Sequence, residues 1–224
     1  MTVPEGADQP PAIDPAGHLP SADVDGLDAN DVTLASYQRA ADLYADCTPG
    51  PTRATVSTFL DAFVELVGDG HVLELGSGPG RDASYLEQRG VRVQRSDATP
   101  AFVDMMNDEG HSARRLDART DDLDGPWDGI LASAMLLHLT REQFDDLIMR
   151  ARAAVRPGGI LAFTVKEGDG EGWTEARIGQ PRWFVYWREP ELRTIVQRQG
   201  WDILSINRHP KPQVTWIEVL CRAA

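Results

Sequence analysis

Four short apolar runs alternate with three helical patterns through the middle of this chain. The runs are HVLEL (71–75), VRVQRS (91–96), WDGILASA (127–134) and GGILAFTV (158–165), and the patterns of helical spacing between them cover 82–89, 100–109 and 141–155. Each run is too short for a helix and is bounded by Gly, Pro or Asp, as strands are. The alternation predicts an α/β fold in which helices cover both faces of a parallel sheet. SARRL (112–116) fits a short further strand.

The two ends of the chain differ from this middle part. Residues 1–30 are rich in Pro, Asp, Ala and Gly without periodicity, which predicts a flexible leader or, alternatively, a lid that orders over ligand. Helical spacing begins at Asp31, the predicted N-cap of the first helix, and a second helix is predicted over about 53–67. We therefore expect one domain over 31–224, with N-terminal helices in 31–68. A Trp-rich segment at 167–190, a helix near 189–199 and two closing apolar runs follow.

Composition excludes several kinds of partner. The 224 residues include 35 acidic and 22 basic residues, a net charge of −13, and the only lysines are Lys166 and Lys211. Because phosphate backbones are bound by clustered Lys and Arg, this balance disfavours nucleic acid and anionic membranes. No apolar run is long enough to span a membrane, and no signal peptide is evident, so a cytoplasmic protein is expected. Cys47 and Cys221 form no metal-ligand pattern, and no metal is predicted.

The first apolar run leads into a glycine-rich turn, LGSGPG (75–80). Gly76, Gly78 and Gly80 lie between a predicted strand and a predicted helix, where absent side chains let the backbone approach a ligand closely. Glu74 precedes the turn, and Asp97 follows the second strand, where a carboxylate can accept from both hydroxyls of a ribose. A single residue separates the last two glycines, which favours an adenosine ligand without a pyrophosphate over NAD. The alternative is a tight turn with no ligand.

An ordered set of motifs resembles a known family. The set comprises VLELGSGPGRDASYL, SDATPAFVDMM after the second strand, LDA at 116–118, DGILASAMLLHL, and AVRPGGILAFTVKEG with its RPGG turn. It is similar to class I S-adenosylmethionine-dependent methyltransferases of the small bacterial, small-molecule type, from about residue 31 to the C-terminus. The resemblance implies a Rossmann-like, doubly wound sheet of seven strands whose last strand is antiparallel, and S-adenosylmethionine as cofactor.

The resemblance also implies roles for individual residues. Asp97 would hold the ribose hydroxyls, Asp117 would accept from the adenine amino group, and Ser133 would line the methionine portion. The full set of implied cofactor-binding residues is Tyr37, Tyr44, Glu74, Gly76, Ser77, Gly78, Gly80, Asp97, Ala98, Asp117, Ala118 and Ser133. Alternatively, Asp117 caps a turn, and the two tyrosines are plain core contacts.

One feature departs from the family pattern. Arg95 and Ser96 precede Asp97, where an apolar residue and Gly or Ala are usual. This puts the local packing in doubt, but not the carboxylate.

Methyl transfer needs little from the protein beyond alignment of a nucleophile and exclusion of water. The candidate catalytic residue is His138, just past the fourth strand, at the edge where ligands bind in such sheets. Its alternative role is to cap or pack the following helix. Aromatic residues and arginines in the cap segment at 167–190 suit an apolar or planar acceptor with a carboxylate; the candidates are Trp173, Arg182, Trp183 and Tyr186. Alternatively, these aromatics only pack on the core.

The sequence thus predicts a methyltransferase that modifies an O, N or C nucleophile of a small molecule, as a monomer or homodimer. Two alternatives remain open. One is a methyltransferase of a peptide or protein acceptor, and the other is a cofactor-binding protein of this fold that does not methylate.

Overall fold

The computed structural model describes residues 28–48, 57–211 and 214–224. Its helices are α1 (Ala29–Arg39), α2 (Ala41–Cys47), α3 (Ser57–Val67), α4 (Arg81–Glu87), α5 (Pro100–Asp108), α6 (Arg141–Ala154) and α7 (Glu189–Arg198), with a 3₁₀ turn at Leu136–His138. Its strands are β1 (His71–Leu75), β2 (Arg92–Asp97), β3 (Ala113–Arg115), β4 (Trp127–Ala132), β5 (Val155–Lys166), β6 (Glu171–Thr174), β7 (Arg182–Val185), β8 (Trp201–Pro210) and β9 (Thr215–Ala223).

Seven strands form one sheet in the order β3-β2-β1-β4-β5-β9-β8. The pairs from β3 to β5 are parallel, and β9 runs antiparallel to both β5 and β8. The predicted seven-stranded, doubly wound sheet with an antiparallel last strand is confirmed. The strand order reverses between β1 and β4, and the crevice at such a switch point is where ligands bind in open α/β sheets.

Alternate residues of the central strands pack into two separate cores. On β5, Leu161, Phe163 and Val165 face the core that holds α6 and α7, whereas Ile160 and Ala162 face the core that holds α3 and α4. Both faces of a central strand are thus apolar, as expected for a sheet covered by helices on both sides. The sheet is a rigid platform, and functional residues lie on the loops at its edge.

The N-terminal helices differ from the sequence prediction. The first helix begins at Ala29, and its N-cap is Asp28, whose carboxylate accepts from the backbone N–H of Asn30 (2.9 Å) and Asp31 (3.1 Å), so the prediction of Asp31 as N-cap was wrong. The helix ends at Ala40, where a second short helix begins. The rest of the predicted leader (1–27) and the predicted start of the next helix (53–56) lie outside the described residues.

The predicted cap segment folds as a hairpin of β6 and β7, which packs on α1. Three polar contacts join them: Thr33 Oγ1 accepts from the Trp183 N–H (2.9 Å), Ser36 Oγ donates to the Pro181 carbonyl (2.6 Å), and Arg39 Nε donates to the Gln180 side chain (3.0 Å). Helix α1 therefore lies between the hairpin and the edge of the main sheet.

Two negative observations hold for the described residues. No helix in this part of the chain has the length and apolar content that a membrane span requires. Nor do these residues contain a cluster of three or more His, Cys, Asp or Glu side chains that would suit a metal ion.

Candidate active site

A cavity of about 750 Å³, including its mouth to solvent, lies at the carboxyl ends of β1 to β4. Helix α1, Tyr44 of α2 and Phe102 of α5 complete its walls. Nine of the twelve predicted cofactor-binding residues border it: Tyr37, Tyr44, Gly76, Gly78, Asp97, Ala98, Asp117, Ala118 and Ser133. Glu74, Ser77 and Gly80 do not border it.

The glycines of the turn meet different requirements. Gly78 has φ +53°, and a Cβ placed there would point across the cavity toward the Tyr44 ring, 3.6 Å away. A side chain at this position would therefore occupy ligand space. Gly80 has φ +78°, and a Cβ there would lie 2.3 Å from the Arg95 guanidinium. Gly80 is thus required by packing within the protein, whereas Gly78 leaves room for a ligand.

Arg95 and Ser96 are the two residues at which the sequence departs from the family pattern. From β2 they hold the glycine turn by hydrogen bonds. The Arg95 guanidinium is buried, donates to the Gly80 carbonyl (2.9 Å) and pairs with Glu87 (2.7 Å). Ser96 Oγ donates to the Glu74 carbonyl (2.6 Å), and its N–H donates to Ser77 Oγ (3.1 Å). The polar side chains replace apolar packing with hydrogen bonds, so the turn is held without glycine or alanine at position 96.

Glu74 lies buried beside the turn with an unpaired acceptor. Its Oε2 has no hydrogen-bond partner among the described residues. Burial, together with the nearby carboxylate of Asp82, raises the pKa of Glu74 to about 8. Burial also raises the pKa of Asp82, whose carboxylate is hydrogen-bonded to Ser133. Two acidic groups buried behind the cavity wall at Ser133 suit a cationic ligand group.

Asp97 lies where the sequence predicts it, at the end of β2. Its Oδ2 accepts from the Gly78 N–H (2.9 Å), and its Oδ1 accepts from the Thr99 N–H (2.8 Å). Burial raises its pKa, and these hydrogen bonds oppose that effect. The Thr99 hydroxyl and the Ala98 N–H also lie within hydrogen-bonding reach of the carboxylate, so ligand hydroxyls at Asp97 would share its oxygens with these donors.

Asp117 is engaged by a neighbour that the sequence analysis did not single out. Arg119 donates to its Oδ1 from the backbone N–H (3.0 Å) and from Nε (3.0 Å), and to its Oδ2 from Nε (3.1 Å) and Nη2 (2.7 Å). Burial would raise the pKa of Asp117, but the hydrogen bonds and charge of Arg119 outweigh it and lower this pKa. Arg119 also pairs with Asp28 (3.1 Å) and Asp31 (2.8 Å), which ties α1 to the end of β3.

His138 borders the cavity, yet both of its ring nitrogens are engaged. Nδ1 lies 2.8 Å from the Trp183 carbonyl, and Nε2 lies 3.0 Å from the Tyr37 hydroxyl. Because a carbonyl only accepts, Nδ1 carries the proton and Nε2 accepts from Tyr37. Burial lowers the pKa of His138 to about 3, and the nearby charges of Arg182 and Lys166 contribute. The ring is therefore a neutral hydrogen-bonding link, which argues against the predicted role of a general base.

The four predicted acceptor residues do not border the cavity. Arg182 is buried and donates to the Tyr37 hydroxyl (3.2 Å). Trp173 and Trp183 pack on each other across the hairpin, with ring centroids 5.2 Å apart. Tyr186 is buried just after β7 and borders a separate depression formed with the segment that follows β5 (167–169) and with Lys211, Val214 and Thr215. The sequence identified the aromatic segment but not the direction of its side chains, because tertiary packing sets that direction.

A family model described as a methyltransferase domain matches residues 51–206. The chain belongs to this methyltransferase family. The resemblance inferred from the motifs is thereby confirmed. No curated protein sequence gave a match.

Solved structures show the same methyltransferase fold. Magnesium protoporphyrin IX methyltransferase from Synechocystis, with bound SAM, has a TM-score of 0.71 and 14% identity and covers 89% of this chain and 99% of its own. The DhpI–SAM–HEP complex has a TM-score of 0.69 and 21% identity, with coverages of 87% and 97%. The 1,6-didemethyltoxoflavin-N1-methyltransferase of Burkholderia thailandensis was solved with 1,6-didemethyltoxoflavin and S-adenosylhomocysteine. It has a TM-score of 0.65 and 22% identity, and the match covers 87% of this chain and 87% of its own.

Several residues of the methyltransferase cavity were not predicted from sequence: Asn30, Thr33, Leu34, Thr99, Phe102, Leu116, Arg119, Ala134, Met135 and Leu139. Thr99, Leu116 and Ala134 adjoin predicted positions and follow from the strand ends. Asn30 was assigned to the leader, since it precedes the first apolar residue of the helix. A capping pattern that starts at Asp28 rather than Asp31 would have placed Asn30 on α1.

Proposed function

We propose that this protein is an S-adenosylmethionine-dependent methyltransferase that methylates an O, N or C nucleophile of a small molecule. The observation that carries the proposal is that Gly78 and Asp97 border one cavity, with the Glu74–Asp82 pair buried behind its wall, in a chain of the methyltransferase family. These groups suit, respectively, close backbone approach, a ribose diol and an ammonium group.

The residues present fit such a cofactor. Asp97 borders the cavity at the end of β2, where its carboxylate would accept from the ribose hydroxyls. Glu74, two residues before Gly76 of the cavity wall, has a buried Oε2 without a hydrogen-bond partner among the described residues, and the ammonium group of the methionine portion would be a suitable donor to it. Tyr37 and Tyr44, whose rings meet edge to face at 5.2 Å, would cover the cofactor and exclude water.

When bound, S-adenosylmethionine supplies an electrophilic methyl group. The chain's own residues then have to position the acceptor and keep water out. Tyr37 borders the cavity, donates to His138 and accepts from Arg182, so its hydroxyl is fixed in one orientation. Burial raises the pKa of Tyr37 above its ordinary value, so it remains a protonated group that can position an acceptor. His138 then acts as a positioning residue, not as a base.

A small acceptor suits the chain better than nucleic acid, because its net charge of −13 disfavours polyanion binding. Two of the similar structures are methyltransferases named for a small-molecule substrate. We further propose that the protein works in the cytoplasm. We also propose that the hairpin of β6 and β7 supports the acceptor side of the site from behind, through Arg182 on the Tyr37 hydroxyl and the Trp183 carbonyl on His138.

Isothermal titration calorimetry with S-adenosylhomocysteine tests the proposal. Wild-type protein should bind it, and Asp97→Ala should weaken binding by about 1–3 kcal/mol, because a charged acceptor of ribose hydroxyls is lost. Asp104→Ala, on the exposed side of α5, is the matched control and should bind normally. Absence of binding to the wild type would refute the proposal. Binding without methyl transfer to any member of a broad small-molecule panel would favour a non-methylating protein of this fold.

A further inference from the structure

Two cations are buried on the side of the cavity that β4 and β5 form. Lys166 and Arg182 are each 3% exposed, and the charges of both act on His138, which borders the cavity just past β4. The acidic residues Glu74 and Asp97 lie on the other side, toward the ends of β1 and β2. Fully buried cations are rare, and this chain has a net charge of −13 and only two lysines. The two buried cations therefore need a physical reason.

Arg182, at the start of β7, has no carboxylate partner among the described residues. Its guanidinium donates to the Tyr37 hydroxyl (3.2 Å) and to the Ala176 carbonyl, and both of these partners are neutral. Its Nε is buried and has no hydrogen-bond partner in the described part of the chain. A buried charge is costly unless an opposite charge compensates it. Arg182 therefore favours an anion in its neighbourhood.

Lys166, at the end of β5, brings a second positive charge to the same place. Its Nζ lies 4.0 Å from the centre of the Phe184 ring, and the Arg182 guanidinium lies 5.2 Å from the centre of that ring. The two cations are thus close to each other, since both lie against one phenyl ring. Contact with an aromatic ring stabilises a cation but does not neutralise its charge. The two charges therefore add to one positive field.

This positive field reaches the wall of the cavity. The centre of the Phe184 ring lies 5.0 Å from that of His138, and the charges of Arg182 and Lys166 both contribute to the lowered pKa of His138. Tyr37, which also borders the cavity, accepts directly from Arg182. Because these groups are buried, water screens their charges little. The part of the cavity beside His138 and Tyr37 is therefore favourable for a negatively charged ligand group.

We propose that the methyl acceptor of this protein is an organic acid, ionised at neutral pH, whose anionic group lies beside Tyr37 and His138. Arg182 and Lys166 attract it through the wall of the cavity, without direct contact, and so determine specificity for an anion. The anionic group supplies the negative charge that Arg182 lacks. This inference rests on the proposed function and narrows its small-molecule acceptor to one charge class.

Methyl transfer from S-adenosylmethionine to a panel of matched acceptor pairs tests the inference. Each pair combines a carboxylic acid with its primary amide, or a phosphonic acid with its neutral diester, and both members carry the same nucleophile. For pairs that react with wild-type protein at pH 7, we expect kcat/KM to be about tenfold or more higher for the acid. At an effective dielectric constant of about 20, one charge about 10 Å away changes binding about tenfold. In Arg182→Gln the ratio of acid to neutral partner should therefore fall about tenfold.

Arg177→Gln is the matched control, because Arg177 is an exposed arginine between β6 and β7, and this variant should keep the wild-type ratio. Lys166→Met removes the second cation and keeps a side chain of similar length. It is the variant to use if Arg182→Gln does not fold, and its ratio should fall as well. The ratio separates charge from packing, since a displaced Tyr37 would slow both members of a pair alike.

Equal use of acids and neutral partners by the wild type, or a preference for the neutral ones, would overturn the inference and leave the proposed function standing. A ratio that is unchanged in either folded variant would also overturn it, as would a panel in which no acid reacts. If the wild type did not bind S-adenosylhomocysteine in calorimetry, the proposed function itself would fail.

Discussion

Gly78 gives the most direct test of ligand contact at the scale of one residue. Gly78→Ala places a methyl group in the cavity and strains a backbone with φ +53°. Gly68 is a matched control, because it has φ +62° and no described atom lies within 4 Å of where its Cβ would be. Both alanine variants should lose about 1 kcal/mol of unfolding free energy. In calorimetry, only Gly78→Ala should weaken S-adenosylhomocysteine binding by about tenfold or more.

If neither glycine variant lost affinity for the ligand, the turn would not approach the ligand. If both lost affinity to the same extent, the loss would come from backbone strain and not from the cavity.

The raised pKa of Glu74 predicts that ligand binding releases a proton. Because its pKa is raised to about 8, the free protein holds this carboxyl mostly protonated at pH 7. An ammonium group nearby favours the ionised form and lowers the pKa, so binding at pH 7 should release up to about one proton. Calorimetry in two buffers of different ionisation enthalpy measures this number. At pH 9 the carboxyl is already ionised in the free protein, and the release should vanish.

Glu74→Gln is the control for this linkage, since the amide does not titrate. It should show no buffer dependence at either pH. Buffer-independent binding by the wild type at pH 7 would place the ligand's cation away from Glu74.

His138 connects three elements: the 3₁₀ turn that contains it, α1 through Tyr37, and β7 through the Trp183 carbonyl. A glutamine can also offer one donor and one acceptor, so His138→Gln should keep methyl transfer within about tenfold of the wild type, whereas His138→Ala should lose more. The profile of kcat against pH over pH 6–9 should have the same shape in His138→Gln. If kcat of His138→Gln instead fell by a factor of about 10²–10⁴ and recovered at higher pH, His138 would be identified as a base.

For the whole molecule, the same histidine predicts sensitivity to acid. The pKa of His138 is lowered from 6.5 to about 3 in the native state. Below pH 6.5 the unfolded chain therefore binds a proton at this residue that the native state does not bind. The stability that His138 contributes is present above pH 6.5 and is lost as the pH falls toward 3. The loss is at most about 1.4 kcal/mol per pH unit.

Urea unfolding at pH 7 and pH 5 measures this effect as a difference between wild type and His138→Gln. The difference in unfolding free energy should shrink or reverse at pH 5 in favour of the variant, because glutamine takes up no proton. A difference that does not depend on pH would mean that the native His138 ring takes up its proton as readily as the unfolded chain does.

The sequence by itself determined the fold and the location of the site. Alternating strand and helix patterns give the parallel sheet, since each strand and helix is a local segment with its own periodicity. The turn at Gly76–Gly80 and Asp97 fall at the carboxyl ends of adjacent parallel strands, and connectivity alone brings those ends to one edge. For this reason seven of the nine predicted residues that border the cavity lie at or just after strand ends, whereas Tyr37 and Tyr44 reach it from α1 and α2.

Only the tertiary structure decided what the polar side chains do. Asp117 is bonded by Arg119, both nitrogens of His138 are bonded within the protein, and Arg95 replaces apolar packing below the turn. Asn30 borders the cavity on α1, and α1 is tied to the end of β3 by the contact of Arg119 with Asp31, which lies 88 residues away in the chain. Hydrogen-bond capacity is shared among residues that are distant in sequence, so a motif can place a carboxylate but cannot show whether its lone pairs remain open to a ligand.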